Sequence, residues 1–174
     1  MEDVRSPLVD WPPLPGRPCS VAAALSLLGE KWSLLAIREI AYGNHRFGEI
    51  ARNTGAPRDR LAARLRRLTE AGVVSRHRYQ ELPERFEYRL TEAGLALTPV
   101  LHALLAWGDE WLAESPPVTL EHTCGHPLHP VTLCTDCGQE VRREDVSLHV
   151  NVPGWDRGGP LPEAEPAEPE SAGG

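Results

Sequence analysis

Long apolar runs are missing from this chain: no stretch reaches the roughly 18 consecutive apolar residues that a membrane-spanning helix needs. The first residues also lack the charged-then-apolar order of a secretory signal. Both absences lead to the expectation of a cytoplasmic protein with no membrane partner. Catalytic signatures are scarce as well. There is no nucleophile motif and no phosphate-cradling glycine loop. The H-x-E and P-C-x-x-C pair of zinc deaminases is broken, because Cys124 follows His122 at the spacing where the glutamate belongs and Leu133 precedes Cys134. The chain is therefore not expected to be an enzyme. Cysteine is sparse, with 4 in 174 residues, yet three of the four fall between Glu121 and Val141.

A formal charge of −7 would ordinarily argue against a polyanionic partner, but the acids are unevenly placed. From His45 to Leu90 there are 11 arginines against six acids, a local net of +5. Residues 155–174 carry one arginine and five acids, a net of −4. Counterion release depends on the charges in contact with phosphate, so the local surface decides, not the total.

The chain is organised around residues 57–74, PRDRLAARLRRLTEAGVV. Leu61, Leu65 and Leu68 recur at i, i+4 and i+7 and form one narrow apolar stripe on a helix. Arg60, Arg64 and Arg67 fall along one flank of the stripe, and Arg66 lies nearly opposite with Asp59 and Ala63. Between Arg58 and Arg67, five arginines against Asp59 give a net charge of +4. Ala62 and Ala63 keep the outer side small. A buried edge, guanidinium forks and small residues for close approach are what a helix entering a DNA major groove requires. An ordinary amphipathic helix with a solvated basic face has the same pattern, so its neighbours must decide.

Upstream, Phe47, Ile50 and Ala51 have helical spacing, and Asn53-Thr54-Gly55-Ala56-Pro57 supplies a stop, a turn and a helix-starting proline. Two helices joined by a short Gly-containing turn, the second basic, form the helix-turn-helix pattern. Downstream, residues 73–79 and 85–90 read as two strands around Glu81-Leu82-Pro83-Glu84, with Phe86, Tyr88 and Leu90 alternating on one face. This hairpin, a wing, carries Arg76, Arg78, Arg85 and Arg89. Before the helix-turn-helix, one apolar helix begins near Cys19 and stops at Gly29. A second covers about residues 31–42 and places Trp32, Leu35, Ile37 and Ile40 in core or interface. After the wing, Thr91 can cap a long helix over 91–113 with a bend, not a break, at Pro99. Its apolar arc, about 160° wide and including Trp107 and Trp111, exceeds what one domain buries and predicts a second subunit.

Taken together, the cysteine opening the first helix, Gly29-x-Lys31-Trp32, Arg46-Phe47-x-Glu49-Ile50, LPERFEYRLTEAG and the closing LTPVL…WG resemble the HxlR family of winged helix-turn-helix transcriptional regulators. The resemblance covers residues 19–111. It implies a sequence-specific, homodimeric DNA-binding regulator on a (pseudo)palindromic operator, nucleoid-associated in the cytoplasm. The helix over 57–71 would lie in the major groove and the wing near the minor groove. The dimer would form through the helix over 91–113 and the N-terminal helix. Candidate DNA-binding residues are Arg46, Arg58, Asp59, Arg60, Ala63, Arg64, Arg67, Arg76, Arg78 and Arg85, with Arg60 and Arg64 carrying much of the groove contact. Arg58-Asp59-Arg60 is more charged than the family's polar run, which leaves the operator open. In several family members the cysteine at the position of Cys19 senses oxidants or electrophiles, which makes Cys19 a candidate redox sensor. A small residue packed under the N-terminal arm is the alternative. The competing reading of the whole is a winged-helix protein-interaction adaptor without DNA binding, for which a basic wing beside a basic helix has no use.

Beyond the resemblance, Cys134-Thr-Asp-Cys137-Gly is a knuckle that aims two thiolates at one ion, and Cys124-Gly125 looks like half of another. Cys124, Cys134 and Cys137 with one histidine would close a structural Zn2+ site. His122 is favoured for the fourth place, since it approaches from the same side of an extended strand as Cys124. His126 is the alternative. Reduced thiols that bind nothing, or a redox C-x-x-C, are the competing readings, the latter lacking a surrounding βαβ pattern. The expected fold is thus mainly α with a β-hairpin wing, an α+β winged helix-turn-helix. Its parts are an extended arm (1–18), the DNA-binding and dimerisation domain with its long C-terminal helix (19–114), a zinc-ribbon-like β module (118–152) and a disordered, acidic, Pro-rich tail (153–174).

Overall fold

The computed structural model describes residues 16–17 and 19–161. The elements run α1 (Ser20–Leu28), α2 (Lys31–Ala41), α3 (Phe47–Thr54), α4 (Arg58–Glu70), β1 (Val74–Gln80), β2 (Arg85–Leu90), α5 (Glu92–Leu95), α6 (Thr98–Trp111) and one 3-10 turn, Arg143–Asp145. Helices followed by a two-stranded antiparallel hairpin make the fold mainly helical with a wing, as the sequence predicts. Among the described residues no single helix is long and apolar enough to cross a membrane.

α2 is the centre of the core. Its Ala36, Ile37 and Ile40 meet Ile50 of α3 and the stripe Leu61, Leu65 and Leu68 of α4, and Val73 and Val74 close the far side. One charged group sits inside this layer: Glu39 is only 4% exposed. Burying a carboxylate is costly unless its oxygens are bonded. Here Arg38 donates to Oε1 from Nε and Nη2 at 3.0 and 2.7 Å, while the side-chain amides of Asn44 and Asn53 donate to Oε2 at 2.8 and 3.0 Å. The satisfied carboxylate thereby fixes α2, the following turn and α3 to one another.

The α3–α4 turn follows from its sequence. Gly55 adopts φ 67°, the left-handed region a side chain resists, and its N–H donates to Ala51 O at 3.1 Å. Thr54 Oγ1 donates to Ile50 O at 2.7 Å and accepts from Ala56 N at 3.2 Å. Pro57, with φ −55°, then starts α4. The wing pairs Val74 with Leu90, Arg76 with Tyr88 and Arg78 with Phe86, and a bulge lies between Arg78 and Gln80. Its base is tied to the approach to α3, since Tyr88 N donates to His45 O at 2.8 Å and Arg46 bridges to Glu87.

Thr91 caps α5, accepting from Gly94 N at 3.3 Å. Gly94 is buried against the wing's root, and a Cβ there would collide with the carbonyl oxygen of Val73. The expected single helix over 91–113 is instead two helices, α5 and α6, separated at Ala96–Leu97. Pro99 is the cause: deep inside one helix it would remove a bond and crowd the carbonyl of Leu95, whereas in the first turn of α6 it displaces nothing.

Residues 118–152 contain no strand. The expected β module is reduced to isolated bridges, Glu121 with Pro127 and Leu133 with Glu140. Pro127 and Pro130 have no N–H to extend a ladder there. The expected disorder from residue 153 also gives way at first. Asp156 Oδ1 accepts from Gly158 N and Gly159 N at 2.7 and 2.9 Å, Leu161 N donates to Gly154 O at 2.8 Å, and Arg17 donates to Arg157 O at 2.6 Å. The rest of the acidic tail and nearly all of the N-terminal arm lie outside the described residues.

Candidate nucleic-acid interface

α4 buries its leucine stripe and so must present its two flanks differently. On one side, toward α1 and α2, Arg67 Nη2 donates to Ser26 O at 2.6 Å. Arg64 reaches to 3.9 Å from Glu30 with its side chain only 18% exposed, and its Nη1 is buried without a hydrogen-bond partner. The predicted DNA-binding residues Arg64 and Arg67 thus lie toward the end of α1 and the α1–α2 turn, Arg64 partly buried and Arg67 exposed. That turn is distant in sequence, and the helical periodicity of α4 cannot show what packs on its flank.

The start of α4 is open. Arg58, Asp59 and Arg60 are exposed, Ala63 is half-buried, and Arg60 makes no hydrogen bond or ion pair among the described residues. Arg66, on the outer face, pairs at 3.8 Å with Glu70.

Between the start of α3, the start of α4 and the wing lies a cleft of about 680 Å³, lined by Arg46, Arg52, Arg58 and Arg85 with Phe47, Tyr79 and Phe86 among its walls. The guanidinium carbon of Arg58 lies 4.9 Å from the Phe47 ring centre, and that of Arg46 lies 5.1 Å from Tyr79. A guanidinium stacked on a ring is oriented while its N–H edges stay free for oxygen acceptors. Glu49 and Glu84 also line the cleft, so its field is positive without being uniform. Sequence patterning misses Arg52, whose position on α3 carries no distinguishing motif, and the aromatic shelves, which come together only when the wing folds onto α3.

On the wing itself the arginines differ. Arg76 stacks on Phe86 at 3.3 Å. Arg78 stands between Glu81 and Glu84 at 3.8 and 3.5 Å, so its charge is partly offset. Arg85 is exposed, with no ion pair among the described residues. Arg89 grips Glu87 at 2.7 Å, and that hydrogen bond, with the charges of Arg89, His45 and His77, holds the Glu87 carboxyl below its usual range.

The remaining candidates lie elsewhere. Cys19 is exposed at the N-cap of α1, where its side chain makes no capping hydrogen bond. Cys124, Cys134 and Cys137 are free thiols in residues 118–152, and His122 and His126 flank the first of them. Hydrogen bonds from the backbone N–H groups of Cys137 and Asp136, and from the Cys137 thiol, lower the pKa of Cys134.

Comparison with known proteins fits this architecture. A family profile described as HxlR-like helix-turn-helix matches residues 27–116. The chain is 49% identical over 131 residues to the uncharacterized HTH-type transcriptional regulator Rv3095 of Mycobacterium tuberculosis, covering 74% of this chain and 83% of that protein. It is 37% identical over 100 residues to the uncharacterized HTH-type transcriptional regulator sll1512 of Synechocystis, covering 57% of this chain and 74% of that one. Among solved structures, the candidate transcription factor PA1607 superposes with a TM-score of 0.67 at 36% identity, covering 75% of this chain and 94% of its own. The candidate transcription factor PA1374 of Pseudomonas aeruginosa gives 0.55 at 31% identity, covering 80% and 97%.

Proposed function

The chain belongs to the HxlR-like helix-turn-helix family of transcriptional regulators, and on that premise we propose that it is a homodimer that binds double-stranded DNA sequence-specifically. In this reading the open start of α4 enters the major groove, with Arg58 and Arg60 at base edges or phosphates and Ala62 and Ala63 allowing close approach. The cleft beside it grips the phosphate backbone through Arg46, Arg52 and Arg85. The observation that carries the reading is this cleft: four arginines converge on one side of α4, two of them pre-oriented on aromatic rings. A protein-interaction adaptor would have no use for that convergence.

The dimer is supported by α6, which buries none of its residues within the chain. Val100, Leu104, Trp107 and Trp111 are all exposed, Trp111 by 65%. At about 100° per residue they fall within about 60° of arc, a seam for a second helix. Val21 and Leu25 of α1 are exposed as well and extend the apolar surface. A two-fold dimer would set two α4 helices against half-sites about 34–36 Å apart, hence a palindromic operator.

The experiment is selection of bound duplexes from a random pool by the purified protein, followed by sedimentation of wild type and Leu104→Glu. The reading expects an enriched inverted repeat, a dimeric wild type and a monomeric variant that no longer retains the repeat. Failure to enrich any sequence at moderate salt would favour the adaptor.

A further inference from the structure

Residues 118–152 are shaped by two tight turns, each carrying cysteine followed by glycine. In the first, His122 N donates to His126 O at 2.9 Å and Gly125 N to His122 O at 2.8 Å, with Gly125 at φ 84°. In the second, Gly138 N donates to Cys134 O at 2.7 Å and Cys134 N to Gln139 O at 2.9 Å, with Gly138 at φ 71°. The left-handed glycine lets the chain double back directly after Cys124 and Cys137, leaving each thiol at the crest of its turn.

Apolar packing does not explain why this segment folds. No residue between 118 and 152 is buried, and only Leu120, Leu128, Cys134 and Val150 are even half-buried. Toward α6 the segment faces a cavity of about 540 Å³, lined by Leu105, Ala106, Val118, Leu120 and Leu128 among others, where a core would have a packed seam. Ordering backbone costs about 1–2 kcal/mol per residue, and nothing buried here offsets it. A disulfide does not supply the link, since all four cysteines are free. The two turns also stand apart: among the described residues no three His, Cys, Asp or Glu side chains are gathered as metal ligands. What the segment does hold is the donor set of a single tetrahedral ion, three thiols and an imidazole, on turns of the kind that present them.

We propose that Cys124, Cys134, Cys137 and His126 bind one zinc-class divalent ion, which draws the two turns together and completes the fold of residues 118–152. His126 takes the fourth place in preference to His122, which the sequence alone favours. The Nδ1 of His122 accepts the N–H of Cys124 at 3.3 Å and is thereby engaged within its own turn. The His126 ring makes no hydrogen bond among the described residues. Binding converts three thiols to thiolates and releases their protons, so affinity falls as pH is lowered. The four protein ligands leave no open coordination position, and the ion's role is structural.

The test uses the full-length protein, purified under thiol reductant without chelator, and measures its zinc by elemental analysis. About one zinc per chain is expected for wild type and His122→Gln. Less than about a tenth is expected for Cys134→Ser and Cys124→Ser, and a clear loss for His126→Gln. Because a cysteine variant can fail for other reasons, metal-free wild type is also titrated with cobalt(II). Thiolate-to-cobalt charge-transfer absorption that saturates at one equivalent and is reversed by zinc supports the site, as does zinc protection of residues 118–152 from protease. Less than about half a zinc per chain together with no charge-transfer absorption overturns it. Loss of the ion in His122→Gln but not in His126→Gln overturns the ligand assignment. Metal content is read without DNA, so this result is independent of the proposed regulator function.

Discussion

The winged domain and the segment after α6 belong to one chain but obey different rules of stability. In the former, Ile37, Ile50, Leu61, Leu65, Leu68 and Val74 are almost fully removed from water, and even its one buried acid, Glu39, has both oxygens bonded. In the latter, glycine turns and a few backbone bonds hold a chain that buries nothing. The contrast teaches that order has two sources here. Side-chain volume fixes the winged domain, and chain reversal at cysteine-bearing turns shapes the appendage, which is why the proposed ion belongs to the appendage and not to the domain.

Truncating the core gives the widest separation between the two. Leu65→Ala is expected to cost about 2–5 kcal/mol in reversible denaturation, whereas Leu133→Ala in the appendage is expected to stay within about 0.5 kcal/mol. Equal losses would erase the distinction. Gly94→Ala comes next, at about 1–3 kcal/mol, because its Cβ has to displace the carbonyl of Val73 at the root of the wing. A tolerated alanine there would mean that the wing root is looser than described. Arg67→Ala should cost about 0.5–1.5 kcal/mol by releasing Ser26 O. A variant that weakens DNA binding with no loss of stability would instead place Arg67 at the DNA. The smallest effect belongs to Cys19→Ser. A serine hydroxyl caps α1 where the thiol makes no bond, for a gain of up to about 1 kcal/mol in melting experiments. The same variant reports on redox sensing: if oxidant releases wild type from DNA and not Cys19→Ser, the thiol is the sensor.

Local pattern made the helix-turn-helix and the wing legible. Gly55 and Pro57 mark the turn, the leucine spacing marks the buried edge of α4, and alternation from Phe86 to Leu90 marks the second strand. What the pattern leaves out is non-local. Arg60 and Arg64 occupy the same flank of α4, yet only Arg64 meets Glu30 across the α1–α2 turn. The cleft exists because Tyr88 and His45 dock the wing on α3, which brings Arg52 and Arg85 to one side of α4. At Pro99 both a bend and a break satisfy the local rule, and here the chain breaks, with Gly94 of α5 seated against Val73.

In the proposed function the open start of α4 and its neighbouring cleft bind DNA, while Arg64 and Arg67, further along the same flank as Arg60, hold the fold. Fluorescence anisotropy with a selected duplex, measured across a salt series, tests it most directly. Arg60→Ala should weaken binding by about 1–3 kcal/mol and relax preference at particular base pairs. Arg85→Ala should weaken all sequences alike and lower the salt slope by about one. Arg64→Ala should leave the slope unchanged. A slope that falls in Arg64→Ala and not in Arg85→Ala, or affinity indifferent to all three substitutions, would contradict it.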